Sequence, residues 1–179
     1  MKHTITALVS DKPAVLSRVS SLFRRRGFNI TSLAVGNCEI PGMSRMAFVV
    51  EGDDGIVEQI TKQLRTLIDV IKVSDISKAD FVSRELALIR VRANSTNRSE
   101  IIQLVDIFRA NIVDVAPESL IIEVTGDEDK IESINDLLKT FGVTEMIRTG
   151  TVAMMRGMAG GTEETQATNL PRSRSDATS

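Results

Sequence analysis

Hydrophobic and polar residues alternate along the first ten positions of the chain and then change to a helical spacing. Residues Thr4 to Ser10 alternate apolar and polar side chains, which predicts a strand that is buried on one face. Asp11 and Pro13 predict the start of a helix, with Asp11 as its capping side chain and Pro13 in its first turn. Gly27 predicts the end of this helix, in a left-handed conformation. Five apolar residues mark the helix face that packs on the sheet: Val15, Leu16, Val19, Leu22 and Phe23.

The order strand, helix, strand, strand, helix, strand occurs twice along the chain. The first copy spans residues 2–77 and the second spans residues 84–156, and residues 78–83 are predicted to link them. Each copy alternates helices with a mostly antiparallel sheet. The predicted fold class is therefore α+β, with two ferredoxin-like βαββαβ sandwiches in tandem.

Local signals place the ends of elements in the second copy. Asn97, with Glu100 three residues later, predicts a capping pair that opens a helix. The last strand is predicted to run from about Thr144 to Met155. Residues 157–179 contain almost no large apolar side chains, so they cannot offset the entropy lost on ordering, and we expect a disordered tail.

Composition and charge exclude several classes of partner. The chain has 179 residues, of which 42% are hydrophobic and 26% charged, and its net charge of −2 gives no electrostatic reason to expect nucleic acid or a membrane. No apolar run approaches the roughly 18 residues that span a bilayer. Cys38 is the only cysteine, so no intrachain disulfide can form. The N-terminus shows no signal segment, and we expect a cytoplasmic protein.

No group of residues in the sequence resembles a catalytic or metal site. His3 is the only histidine, and its pairing with Cys38 as base and nucleophile has no support beyond their presence, so neither is assigned a role. Two acidic groups, Asp53 with Asp54 and residues 127–129, each precede a helix, where acidic residues are ordinary caps. We therefore predict no catalytic residue and no metal ligand.

Motifs along most of the chain resemble those of a known family. The series comprises D-K-P-A-V-L-S-R-V, L-F-R-R-R-G-F-N-I, P-G-M-S-R-M, R-E-L-A-L-I-R-V, V-D-I-F-R-A-N-I-V-D-V and R-T-G-T-V-A-M-M-R, in this order. It is similar to the small regulatory subunits of acetohydroxyacid synthase, also called acetolactate synthase, over residues 2–157. The first copy looks like their ACT domain, a module that binds amino acids and regulates metabolic enzymes.

This resemblance implies a noncatalytic regulatory subunit. Such a subunit raises the activity of a separate large catalytic subunit and makes it sensitive to feedback inhibition by valine, in branched-chain amino acid biosynthesis. The large subunit is expected to carry thiamine diphosphate, Mg²⁺ and FAD and to condense two pyruvates, or pyruvate with 2-oxobutanoate. This chain needs no cofactor of its own.

The resemblance also implies an effector site between two copies of the chain. In similar proteins two ACT domains pair side by side through an edge strand, and the amino acid lies between the loop before the first helix of one chain and strand residues of the other. Amides around Ala14 would hold the effector carboxylate, and Asn29 or Asp11 would meet its ammonium group. The residues implied are Asp11, Pro13, Ala14, Val15 and Leu16 in the loop, Asn29 and Ile30 opposite, and Leu33, Val35 and Gly36 along the strand.

Several points stay open from the sequence. Valine, leucine and isoleucine are all possible effectors. Many ACT loops carry glycine where this chain has Ala14, and the added methyl group could crowd the ligand or require a different backbone angle. The second copy lacks the D-x-P-x-V-L motif, which favours a role in docking a partner or relaying a signal.

Two other functions agree less well with the residues. The first is a stand-alone, amino-acid-responsive regulator of gene expression. Against it, the chain has no Tyr or Trp, no strand carries paired aromatic residues for stacking bases, and no helix-turn-helix is evident. The second is a small enzyme, which would need an acid, base or nucleophile cluster that the sequence does not offer.

Overall fold

The computed structural model describes residues 1–157, and the predicted tail lies outside the described residues except for Gly157. The first half contains β1 (Lys2–Ser10), α1 (Val15–Arg26), β2 (Ile30–Asn37), β3 (Met43–Glu51), α2 (Asp54–Arg65) and β4 (Val70–Asp75). The second half contains β5 (Phe81–Arg92), α3 (Arg98–Ile107), β6 (Asn111–Ala116), β7 (Ser119–Gly126), α4 (Glu128–Lys139), β8 (Val143–Arg148) and β9 (Val152–Met155).

The first half is a four-stranded antiparallel sheet with both of its helices on one face. The strand order is β2-β3-β1-β4, so β2 and β4 are the edges. Alternate residues of β1 point to the helices, and Ile5, Ala7 and Val9 are buried there. The Phe48 side chain is fully buried in this core, with its ring centroid 5.3 Å from that of Phe23 on α1. The alternation of apolar and polar residues in the sequence therefore results from the burial of one face of the sheet.

The second half repeats this topology around a separate core. Its strand order is β6-β7-β5-β8, with β6 at the position that β2 has in the first half. Ile89 on β5, Ile122 on β7 and Ile134 on α4 are fully buried in its core. The structure confirms the predicted α+β class with two ferredoxin-like sandwiches.

The predicted start of α1 is wrong in detail. The helix begins at Val15, and its N-cap residue is Ala14, in a left-handed conformation with φ 72°, without a side-chain hydrogen bond that caps the helix. Asp11 therefore does not cap α1, and Pro13 lies before the helix rather than in its first turn. The predicted end is confirmed, because Gly27 has φ 68° and its N–H donates to the carbonyl of Arg24.

Of the other predicted helix caps, two are present in the structure and one is not. Asp53 and Asp127 cap α2 and α4 as expected, with carboxylate oxygens that accept from the N–H groups of Ile56 at 2.8 Å and Lys130 at 3.0 Å. Asn97 is not a side-chain cap of α3. Its side-chain oxygen accepts instead from the N–H of Asn94, at 2.8 Å. This hydrogen bond belongs to a local turn before the helix, so the oxygen does not bind the first N–H groups of α3.

The predicted last strand is two strands. β8 ends at Arg148 and β9 starts at Val152, and Gly150 between them has φ 80°, which breaks the strand. β9 pairs with Phe81–Arg84, so β5 starts inside the predicted linker. Pairing with a strand about 70 residues away, which local sequence does not reveal, orders this part of the linker.

Candidate functional site

The candidate site begins with residues 11–16, which we call the first loop. They lie where β1 ends and α1 begins. The N–H of Asp11 donates to the carbonyl of Gly42 at 2.9 Å, which fixes the start of the loop against the β2–β3 turn. Ala14 is exposed and its carbonyl accepts from the N–H of Arg18 at 2.9 Å, the first helical hydrogen bond. The left-handed angle at Ala14 thus turns the chain sharply into the helix.

The N-terminus of α1 offers unused hydrogen-bond donors. Within residues 1–157, the N–H groups of Leu16 and Ser17 have no hydrogen-bond acceptor. The first turn of α1 contains no acidic residue to offset the helix dipole. A carboxylate at this position would accept hydrogen bonds from these amides and meet the positive end of the dipole.

The side chains of the first loop differ in accessibility. Asp11, Pro13 and Ala14 are exposed, and Leu16 is 44% exposed. Val15 is buried against the core of the first half, so it can offer a ligand only its backbone.

An ion pair that sequence reasoning missed connects α1 to the turn between α2 and β4. Arg18 pairs with the buried carboxylate of Asp69, and the carbonyl of Asp69 accepts from the N–H of Ser10 at 2.8 Å. These contacts fix the end of β1 and the start of α1 relative to each other. Asp69 lies in the turn between α2 and β4, and no motif in the sequence marks it.

Edge strand β2 carries four of the remaining candidate residues, and Asn29 directly precedes it. Ile30 and Leu33 pack against the core, Val35 is 50% exposed, and Gly36 is exposed. The register between β2 and β3 shifts at Thr31, which is a bulge residue. Only one edge of β2 is paired within residues 1–157, because β3 is its single neighbour in the sheet.

Within one chain, the structure does not bring Asn29 and Ile30 to the first loop. Ile30 pairs with Val50, which also pairs with His3 near the start of β1. The first loop follows Ser10, at the other end of that strand. A strand rises ~3.4 Å per residue, so the seven steps from His3 to Ser10 separate the two groups by about 24 Å.

The far end of β2, in contrast, lies near the first loop. Asn37 at the end of β2 and Val9 near the end of β1 both pair with Ser44. If two β2 edges paired antiparallel, the start of one strand would lie beside the end of the other. Such a pair would place Asn29 of a second copy near the first loop. Within one chain, these residues therefore do not come together at one place.

The isolated His3 and Cys38 cannot act together. His3 is 1% exposed near the start of β1, whereas Cys38 follows the last residue of β2, at the opposite end of the sheet. Among residues 1–157, no group of three or more His, Cys, Asp or Glu side chains is placed to hold a metal ion. No helix in this range is long and apolar enough to cross a membrane.

Comparison with known proteins assigns both halves to one family. Residues 5–72 match the family model described as the AHAS small subunit-like ACT domain. Residues 84–157 match the model described as the small subunit of acetolactate synthase.

Relatives match nearly their whole length. A probable acetolactate synthase small subunit from Archaeoglobus fulgidus is 59% identical over 157 residues, covering 88% of this chain and 98% of the relative. The acetolactate synthase small subunit of Mycolicibacterium smegmatis is 54% identical, covering 88% and 93%. The crystal structure of the small subunit from Thermotoga maritima superposes with a TM-score of 0.81 at 46% identity, covering 88% and 98%.

Proposed function

Because this chain belongs to the family of acetolactate synthase small subunits, we propose that it activates a separate large catalytic subunit and makes that subunit sensitive to valine. The family and the ACT domain support a regulatory role. The large subunit would carry thiamine diphosphate, Mg²⁺ and FAD, and this chain would supply no catalytic residue. Its products would lead to valine, leucine and isoleucine.

The observation that carries the regulatory proposal is the division of the candidate site between two copies of the chain. The first loop and Asn29 lie at opposite ends of one sheet, and an antiparallel β2 pair would bring them together. A homodimer would therefore be required for effector binding. Valine would then bind better to the dimer than to the monomer, which links the effector to the assembly.

Each part of a valine molecule has a counterpart in this proposed site. Its carboxylate would accept hydrogen bonds from the Leu16 and Ser17 amides at the N-terminus of α1. Its ammonium group would meet Asn29 of a second copy or Asp11. Its branched side chain would pack against the exposed part of Val35.

The conformation of Ala14 bears on whether the added methyl group disturbs this site. Ala14 already has the left-handed angle that glycine adopts easily, with φ 72°. The backbone of the first loop is thus compatible with alanine, and within residues 1–157 the N–H groups of Leu16 and Ser17 have no acceptor. The methyl group is exposed, so any effect on the effector would be direct contact rather than a changed backbone.

Reconstitution tests the proposed function. The large subunit is loaded with thiamine diphosphate, Mg²⁺ and FAD, and acetolactate formation from pyruvate is measured with and without this chain. We expect no product from this chain alone, a higher rate from the mixture than from the large subunit alone, and a lower rate when valine is added. Leucine and isoleucine are titrated in parallel to rank the effectors. Product formed by this chain alone would contradict the proposal, and so would a mixture no faster than the large subunit.

A further inference from the structure

The two halves of the chain contact each other through the loop between β8 and β9, which touches edge strand β2, and through the ion pair of Lys2 with Glu128. The N–H of Thr151 donates to Ser32 Oγ at 2.7 Å, although the two residues are 119 positions apart. Gly150 has φ 80°, and a Cβ atom added to it would lie 2.7 Å from the carbonyl oxygen of Leu33. Only glycine fits at this position, because the close approach to the Leu33 backbone leaves no room for a Cβ atom, and the positive φ disfavours any side chain further.

Ser32 lies on the sheet face that points away from the helices. It pairs with Val49 on β3, and Val49 is only 7% exposed although it is on that outer face. Ser32 also lies between Asn29 and Val35, the strand residues of the proposed effector site. A displacement of β2 would therefore move the Ser32 hydroxyl directly.

Thr151 also contacts a buried carboxylate of the second half, that of Glu85. Thr151 Oγ1 donates to Glu85 Oε1 at 2.6 Å, and the Glu85 side chain is only 5% exposed. Arg148 donates to the other oxygen of Glu85, from Nε at 2.9 Å and from Nη2 at 2.6 Å, and it also pairs with Glu132 on α4. Burial lowers the pKa of Arg148, but the hydrogen bonds to Glu85 and Glu132 outweigh it and raise that pKa above its usual value.

This set of contacts lies between two folded units that have separate cores. A buried carboxylate is destabilising unless its oxygens are fully hydrogen-bonded, and here three donors satisfy it. The cores of the two halves are separate, and a cavity of about 340 Å³ lies beside the contact, lined by Ser32, Val49, Glu85 and Arg148 among others. The halves are thus joined here by directional hydrogen bonds rather than by continuous apolar packing.

We propose that Ser32, Thr151, Glu85 and Arg148, which we call the junction network, transmit the state of edge strand β2 to the second half. The proposal rests on the proposed function, since β2 is the strand that the effector and the second copy would contact. When the effector shifts β2, the bond from Thr151 to Ser32 either breaks or moves the loop between β8 and β9. The movement then reaches Glu85 on β5 and Glu132 on α4 through Arg148. These four are positioning residues that do not touch the effector.

Thr151→Val tests the junction network without altering the first loop or β2. Valine keeps the shape of threonine but removes the hydroxyl that donates to Glu85. The affinity of this chain for the large subunit is measured with and without valine, and the ratio gives the coupling factor. We expect the valine affinity of the purified chain to stay within about twofold, and the coupling factor to fall by roughly 2- to 30-fold.

Thr144→Val is the matched control. Thr144 is exposed on β8, outside the junction network, and its hydroxyl lies 3.4 Å from the carbonyl of Arg90. It should leave the coupling factor unchanged. An unchanged coupling factor in Thr151→Val would overturn the proposal, as would an equal fall in both variants. Loss of valine binding by Thr151→Val would also overturn it, because the residue would then belong to the effector site itself.

Gly150→Ala tests the junction without any effector. The added Cβ cannot fit against the Leu33 carbonyl, so we expect scanning calorimetry to show one unfolding transition for the wild type and two for Gly150→Ala. Gly157→Ala is the control, since Gly157 has a similar φ of 67° and no atom of residues 1–157 lies within 4 Å of the added Cβ. A single transition at the wild-type temperature in Gly150→Ala would refute the junction. If the wild-type pair of subunits does not respond to valine, the proposed function fails while calorimetry still decides whether the junction joins the halves.

Discussion

At the scale of single residues, the backbone angle of Ala14 connects stability to the candidate site. A left-handed angle at a residue other than glycine is unfavourable by roughly 1–2 kcal/mol, and the N-cap of α1 has this angle without a side-chain cap. The chain turns sharply at this residue, and within residues 1–157 the Leu16 and Ser17 amides have no hydrogen-bond acceptor. The strain therefore lies where a ligand would be bound.

Substitutions at Ala14 should separate backbone strain from side-chain size. Ala14→Gly removes the strain but makes the unfolded chain more flexible, so its free energy of unfolding should stay within about 1 kcal/mol of the wild type. Ala14→Val places a β-branched residue at φ 72° and should lower that free energy by about 1–3 kcal/mol. Urea denaturation followed by circular dichroism measures both. Equal stability of the valine and glycine variants would show that the angle imposes no strain.

Asn29 supports a prediction about the effector. If Asn29 of a second copy binds a charged group of valine, Asn29→Ala should weaken binding by about 1.5–3 kcal/mol. The inhibition constant for valine should then rise roughly tenfold or more, while activation without valine stays near normal. Asn111→Ala is the matched control, because Asn111 precedes an isoleucine at the start of β6 as Asn29 does at β2. Unchanged valine sensitivity in Asn29→Ala would remove Asn29 from the site.

At the scale of elements, the two edges of the first sheet differ in what they expose. Within residues 1–157, strand β2 has an unpaired edge next to Val35 and Gly36, and such an edge can pair with the same strand of a second copy. Strand β4 is the opposite edge and exposes Ile71 to a similar extent, 53% against 50% for Val35. The two edges therefore offer a direct comparison.

Val35→Lys should weaken the proposed dimer, because it places a positive charge at the β2 edge of both copies. We expect the dimer dissociation constant to rise at least tenfold, as measured by sedimentation velocity over a range of concentrations. Ile71→Lys on β4 should leave that constant unchanged. A similar effect of both substitutions would indicate that general solubility, rather than pairing through β2, determines the association.

At the scale of the whole molecule, residues 158–179 contain few groups able to form a core. Their composition predicts that a chain ending at Gly157 keeps both its free energy of unfolding and its activation of the large subunit, within about 0.5 kcal/mol and twofold. Calorimetry and the reconstituted assay measure the two quantities. A large loss of either would mean that these residues take part in folding or in contact with the large subunit.

The sequence by itself determined the features that depend on neighbouring residues. One-sided burial produces the alternation in β1, and a glycine at the end of α1 needs only its own backbone freedom. Asp53 and Asp127 cap their helices because their side chains reach an amide three residues on. The repeated order of such elements was sufficient for the α+β class and the two sandwiches. The family followed from motifs spread along nearly the whole chain.

Only the tertiary structure decided the features that depend on distant residues. The hydrogen bond from Asp11 to the Gly42 carbonyl and the backbone angle at Ala14 replace the side-chain cap expected from Asp11. The side chain of Asn97 accepts a hydrogen bond within a separate turn and does not cap α3. The bond between Ser32 and Thr151 joins positions 119 apart, and the pairing of β9 orders part of the predicted linker. Periodicity and capping are set within about four residues along the chain, whereas these contacts depend on how packed elements meet in space. The separation of Asn29 from the first loop by the length of β1 likewise follows from sheet topology, which local pattern does not specify.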